Sequence, residues 1–194
     1  GRPEELPSWV FRLWASGNEW NTQAEVENQV ALHKEHDIPV GSVVIEAWSD
    51  ESSFTIFRDA QYTPREDGGP MRLTDFTFPE DGAWPNPKGM VDALHDQDVK
   101  LLLWQIPLIK MRPHPQGQAR HDADAAVREG RLIEEVAPDG NLRPYRNRGW
   151  WFPLGLMPDL TDEEAAQWWT DKRRYLVEDL GIDGFKTDGG EHAW

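Results

Sequence analysis

Near the end of the chain, Lys186, Thr187, Asp188, Gly189, Gly190 and Glu191 bring a cation, two carboxylates and two glycines together. Ile182-Asp183-Gly184-Phe185 runs ahead of them, and the stretch from Ile182 to Asp188 reads as a strand. Residues two apart on a strand share a face, so Lys186 and Asp188 point the same way. A lysine in that position keeps the carboxylate ionised, which is the state a nucleophile or charge stabiliser needs. The glycines let the backbone turn sharply and leave room for a ligand. The same residues also fit a structural Lys–Asp pair, or an N-cap for a following helix.

Other strand ends carry matching chemistry. Glu46 closes the apolar run Val43-Val44-Ile45, where a carboxylate has to find a partner or a ligand. Trp104 and Gln105 end the run that begins at Lys100. Asp159 follows a long loop just before a helix start, and Asp159-Leu160-Thr161 fits an ordinary lead-in to a capping box equally well. Metal chemistry finds little support. His33 and His36 share a helix face, but Lys34, Glu35 and Asp37 around them look like a solvated helix end without a third ligand. His192 beside Glu191 lacks a complete three-ligand set, and His114 and His121 lie in a proline- and charge-rich stretch. No Gly-x-Ser-x-Gly elbow, dinucleotide fingerprint or phosphate loop is present. The expectation is therefore no metal and no cofactor.

The elements that must position these groups alternate. Four strand-like runs are expected: Trp9 to Trp14, Gly41 to Glu46, Lys100 to Pro107 and Ile182 to Asp188. Val43 to Ile45 and Leu101 to Trp104 are continuously apolar, as suits strands buried on both faces of a parallel sheet. Thr22 with Glu25, and Thr161 with Glu164, predict capping boxes; Asn86 before Pro87 predicts an N-cap with proline at the first helical position. Met90, Val91 and Leu94 form the apolar face of the middle helix. Ala165, Trp169, Leu176 and Leu180 are expected to do the same for the last helix, which Gly181 can end. The result is a βαβ series with right-handed crossovers. Helix-to-strand links are short, whereas the strand-to-helix links, about 48–85 and 108–160, are long. In parallel α/β proteins the lengthened carboxyl face is where sites are built.

Composition narrows the classes further. The chain has 194 residues, a formal charge of −15, no cysteine and 11 tryptophans. Lack of cysteine excludes disulfide scaffolds, thiolate metal sites and a thiol nucleophile. The acidic balance argues against nucleic acid or an anionic membrane as partner. No apolar run approaches the roughly 18 residues of a membrane span, and Gly1 to Pro7 do not read as a signal peptide. These features fit the cytoplasm or a salt-rich habitat. The tryptophans argue for an ordered chain. They serve either as core or as platforms on which sugar rings stack.

Taken in order, the motifs resemble a known family. Asp183-Gly184-Phe185-Lys186-Thr187-Asp188-Gly189-Gly190-Glu191 is the strongest piece, supported by Pro85 to Met90, Leu103 to Pro107 and Pro158 to Thr161. The chain is similar, from about Leu6 to Glu191, to the amino-terminal half of the catalytic barrel of glycoside hydrolase family 31, which includes α-glucosidases and α-xylosidases. The resemblance implies an α/β fold whose parallel (β/α) units form about half of a (β/α)8 TIM barrel. A full barrel has eight strands in about 250 residues. On this view residues 1–194 are a partial catalytic domain holding strands one to four. Asp188 would be the nucleophile of a retaining α-glycoside hydrolase. Glu46, Trp104 and Lys186 would line the pocket for the terminal sugar, with Asp159 nearby.

The chain departs from the family pattern twice. The family's acid/base lies beyond the fourth strand, while retention needs two carboxyl groups about 5–5.5 Å apart, so the isolated chain is expected to be inactive. The family commonly has an aspartate where Glu46 aligns, which leaves an α-galactoside or N-acetylated sugar open beside an α-glucoside. Two other classes stay open: a non-catalytic sugar-binding or assembly module, and a metal-dependent barrel hydrolase using His192, Asp188 and Glu191. The expected partners are an oligosaccharide or small α-glycoside, and the remainder of the barrel or a second copy covering the open sheet edges.

Overall fold

The computed structural model describes residues 5–50, 52–112, 115–149 and 152–190. Six strands and four α-helices are defined among them: β1 Trp14–Gly17, α1 Gln23–Glu35, β2 Ser42–Ile45, α2 Pro87–His95, β3 Lys100–Gln105, α3 Gly117–Arg128, β4 Glu134–Val136, β5 Leu142–Pro144, α4 Glu163–Tyr175 and β6 Gly184–Thr187. β1, β2, β3 and β6 form one parallel sheet in that order. The chain is thus the α/β series of parallel units expected of a partial TIM barrel.

The apolar runs explain the sheet. All four residues of β2 are buried, as are Leu101 to Gln105 of β3. Val43, Ile45, Leu101 and Leu103 pack against Val26 and Val30 of α1, and Met90, Val91 and Leu94 of α2. Two helix starts have a local cause. The Thr22 hydroxyl accepts from the Glu25 amide, and the Asn86 carboxamide oxygen accepts from the Gly89 amide just beyond Pro87. A π-helical turn, Leu176–Leu180, extends α4 and stops at Gly181 with φ of 92°, a left-handed conformation that glycine adopts without a Cβ penalty. At the amino end of β6, Asp183 accepts from the Leu101 amide and pairs with His95 and Lys100, fixing the β3–β6 register.

Four expectations require correction. Ser8–Phe11 is a 3-10 turn, and the first strand is Trp14–Gly17 rather than Trp9 to Trp14. The turn closes through the Val10 amide to the Pro7 carbonyl and the Arg12 amide to the Trp9 carbonyl, leaving Phe11 76% exposed. The cap of α4 is Asp162, which accepts from the Ala165 amide, rather than Thr161. The tryptophan that α4 buries is Trp168, whose Nε1 donates to the Gly68 carbonyl; Trp169 is half-buried. The 108–160 excursion is more than loop. It contains α3 and the antiparallel β4–β5 hairpin, with Ala123, Ala126, Ile109, Leu132, Leu156 and Trp168 in a core of its own.

The two excursions are tied to the barrel wall by buried polar contacts. Lys172 of α4 donates to Asp122 of α3 at 2.6 Å and to the Gly68 and Gly69 carbonyls of the first excursion. Burial pushes Asp122 up and Lys172 down, and each opposes the other's shift. Tyr175 donates to the Thr55 carbonyl at 2.5 Å.

Candidate active site

Register brings the predicted groups together. Trp104 pairs with Lys186 across β3 and β6, Leu103 pairs with Ile45 one residue before Glu46, and Val44 pairs with Ser16. With a period of two, Ser16, Glu46, Trp104, Lys186 and Asp188 fall on one face at the carboxyl end of the sheet. That is the face opposite Val43, Ile45, Leu101 and Leu103, which meet the helices.

Asp188 is held on three sides. Trp104 Nε1 donates to Asp188 Oδ2 at 3.0 Å, the Gly189 amide donates to Oδ1 at 2.8 Å, and Lys186 Nζ lies 3.7 Å from Oδ2. The Trp104 hydrogen bond, with help from Gly189 and Lys186, holds the Asp188 carboxyl below the ordinary aspartate range against an opposing push from burial. The carboxylate is therefore ionised, yet its side chain keeps 33% exposure toward the open end of the sheet. Glu46 Oε1 accepts from Lys186 Nζ at 2.8 Å and from Ser16 Oγ at 2.9 Å. Lys186 thus stands between two carboxylates.

The backbone around the nucleophile candidate is equally fixed. The Asp188 amide donates to the Gln105 carbonyl at 2.9 Å, and Gln105 Nε2 donates to the Thr187 hydroxyl. Gln105 Oε1 accepts in turn from Nε of the buried Arg173. The Trp48 indole N–H donates to the Trp104 carbonyl at 2.8 Å. Trp104 itself is 9% exposed and packs edge-to-face with Phe54 at 5.3 Å between ring centroids. Its contribution to the site is the N–H more than a broad stacking face.

Of the predicted site residues, the structure joins Glu46, Trp104, Lys186 and Asp188. Asp159 is not part of that hydrogen-bonded set. Its carboxylate accepts from the Thr161 amide and hydroxyl, which hold it below the ordinary range, and caps the turn into α4. Ser16 was missed because the strand that carries it begins where the sequence reading ends. Phe54 and Gly189 carry no sequence signal for their contacts, which depend on backbone conformation. His33 Nδ1 sits 2.7 Å from the Gln29 carbonyl and its ring meets Trp20 edge-on, a structural role. His114, Glu191 and His192 lie outside the described residues. Among the described residues no group of three histidines or carboxylates is placed to hold a metal, and no helix is long and apolar enough to cross a membrane.

Known proteins match this chain over nearly all of its residues. Residues 3–194 match the TIM-barrel domain of the glycosyl hydrolases family 31. A 1,3-alpha-isomaltosidase of Kribbella flavida is 59% identical over the whole chain, which spans 26% of that protein. An isomaltosyltransferase of Sporosarcina globispora is 42% identical, and the chain spans 18% of it. The solved cycloalternan-degrading enzyme of Trueperella pyogenes, captured with a covalent intermediate, superposes with a TM-score of 0.92 at 58% identity; the match covers all of this chain and 26% of that one. The family model covers nearly every residue of this parallel-stranded chain, and the chain belongs to glycosyl hydrolase family 31.

Proposed function

We propose that this stretch supplies the nucleophile half of a retaining α-glycosidase site, with Asp188 as nucleophile and isomaltosyl α-glucosides as substrates. The observation that carries the reading is the Asp188 carboxylate, ionised by Trp104 and Gly189 yet open on its remaining side. A carboxylate oxygen attacks the anomeric carbon, the glycosidic C–O bond breaks, and the leaving oxygen takes a proton from an acid outside residues 1–194. Water then cleaves the glycosyl ester and the sugar leaves with net retention. Lys186 keeps the nucleophile charged before attack and stays close to the ester oxygens after it. Glu46, steered by Ser16 and Lys186, offers acceptor oxygens to hydroxyls of the terminal sugar.

The isomaltosidase and isomaltosyltransferase relatives support an α-glucose unit over a galactoside or an N-acetylated sugar. The covalent intermediate captured in the Trueperella enzyme supports the two-step route. The chain spans about a quarter of the first of these relatives, so the rest of the barrel and the acid/base are assigned to the remainder of a longer protein. The test is covalent trapping of the full-length protein with 5-fluoro-α-glucosyl fluoride, followed by peptide mass spectrometry. A label on Asp188, and no turnover by Asp188→Asn, are expected. A label on any other residue overturns the assignment.

A further inference from the structure

Two phenylalanines beside the site hold backbone conformations that phenylalanine rarely adopts. Phe54 has φ of 50° and Phe152 has φ of 48°, both in the left-handed region. For a bulky residue this is strained, and such strain persists only where the surroundings over-determine it. Phe54 belongs to the excursion after β2, and Phe152 to the one after β3.

Their rings meet edge-to-face with centroids 5.6 Å apart, and Phe54 meets Trp104 in the same way at 5.3 Å. Lys110 Nζ lies over the Phe152 ring at 5.2 Å. Phe54, Trp104, Ile106 and Leu108 form one buried cluster, with Phe152 and Met157 packed against it. This cluster is separate from the core under the helices.

Each strained residue is clamped by its own loop. Around Phe54, the Asp50 carboxylate accepts from the amides of Ser52 and Ser53 and from the Ser53 hydroxyl. The Asp50 amide reaches the Ile56 carbonyl, and the Thr55 carbonyl takes the buried Tyr175 hydroxyl. Around Phe152, the carbonyl accepts from the Gly155 amide at 2.8 Å, and a Cβ at Gly155 would stand 2.8 Å from that carbonyl oxygen. Both loops therefore give up backbone freedom to present a ring at one place, Phe54 against the indole that reaches Asp188 and Phe152 against Phe54.

We propose that Phe54 is a positioning residue for the nucleophile: braced by Phe152 from the other excursion, it fixes the Trp104 indole so that Nε1–H stays aimed at Asp188. This rests on Asp188 being the nucleophile. It adds a link from both long loops to the reacting carboxylate, so the order of these loops sets how well that carboxylate is held.

Among the described residues, the groups that face Asp188 are Trp104 Nε1 from β3, the Gly189 amide, Lys186 from β6 and, through Lys186, Glu46 after β2. Loosening Trp104 alters the first of these and leaves the others in place. The probe is the full-length protein with p-nitrophenyl α-isomaltoside, and the readout is kcat/KM against pH. Phe54→Leu keeps most of the apolar volume but removes the ring, and should move the acidic limb up by about half a pH unit, part of what losing the Trp104 hydrogen bond outright would do. Phe54→Tyr keeps the ring and should hold the limb within about 0.2 unit of wild type. Phe152→Leu, at a half-buried position, should move it in the same direction by less, and it carries the test if Phe54→Leu does not fold. An unmoved limb in a folded Phe54→Leu, or in Phe152→Leu where that variant carries the test, overturns the positioning role. So does an equal shift in Phe54→Tyr. Asp188→Asn in the same protein separates the two readings: retained turnover there removes the nucleophile assignment itself, whatever the phenylalanine variants do.

Discussion

Trp104→Phe removes one atom group that matters and keeps most of the rest. The ring still fills the space beside Phe54, and the backbone carbonyl still accepts from Trp48. What disappears is the 3.0 Å donation to Asp188 Oδ2. A hydrogen bond to a charged group contributes about 1.5–3 kcal/mol. Asp188 is a third exposed, so water replaces part of the lost donor, which brings the net effect to about 1–2 kcal/mol. That loss falls on the ionised form alone, so without the donor the Asp188 carboxyl titrates at higher pH. Lys186 remains, but at 3.7 Å in a solvated setting its attraction is only about 1 kcal/mol.

The direction of the pH effect follows from which form the bond favours. Trp104 holds Asp188 below its ordinary value, so the ionised carboxylate persists to low pH in the wild type. Deleting the donor lets protonation begin at higher pH. The acidic limb of kcat/KM, which reports the free enzyme, should move up by about one unit. The same shift predicts a stability difference of at most about 1–2 kcal/mol, complete at neutral pH and lost as pH falls through the folded pKa of Asp188. The assay is kcat/KM of the full-length enzyme across the acid range, with urea unfolding at two pH values. An acidic limb within 0.2 unit of wild type, or one that moves down, would refute the view that this hydrogen bond ionises the carboxylate.

Two further outcomes concern the frame that holds the site. Lys172→Met should destabilise the protein by about 3–5 kcal/mol at pH 8, because it strands the buried Asp122. Burial already pushes Asp122 up; without its partner it rises further, so the loss should shrink on acidification as Asp122 takes a proton, which urea midpoints at pH 8 and pH 5 would show. Gly155→Ala should cost about 1–3 kcal/mol, since the added Cβ meets the Phe152 carbonyl oxygen at 2.8 Å and the Ile109 carbonyl oxygen at 3.2 Å. A wild-type urea midpoint in that variant would show that the Phe152 loop gives way freely.

The parts of the fold legible from sequence are those set by short-range rules. Val43 to Ile45 and Leu101 to Trp104 suit strands buried on both faces, and both lie in buried strands. Asn86 with Pro87, and Gly181 after Leu180, mark helix ends by chemistry that acts within one turn. Once the strands are parallel, a period of two is enough to put Lys186 beside Asp188 and, through the register, Trp104 and Glu46 with them. Trp9-Val10-Phe11 misled because apolar content reports what can be buried and not what is; Pro7 and the following turn leave Phe11 in solvent. Helix α3 was hidden for the opposite reason. Its buried face is built from Ala119, Ala123 and Ala126 with Gln118 and Asp122, so the usual stripe of large apolar residues is missing.

The site divides along the same line. Apart from Ser16, its chemical groups sit at or just beyond strand ends and were visible, whereas the devices that hold them sit in the long excursions and depend on contacts distant in sequence. The Asp50 clamp reaches Tyr175 through the Thr55 carbonyl, and the left-handed Phe54 and Phe152 meet across nearly a hundred residues. Asp159 accepts twice from Thr161 in the lead-in to α4 and stands outside the hydrogen-bonded group at Asp188. A parallel sheet therefore announces where its reactive carboxylate will stand. On the proposed bracing of Trp104, how firmly Asp188 is held depends on loops ordered by packing against one another, and for that reason its ionisation should respond to changes in Phe152 as well as in Trp104.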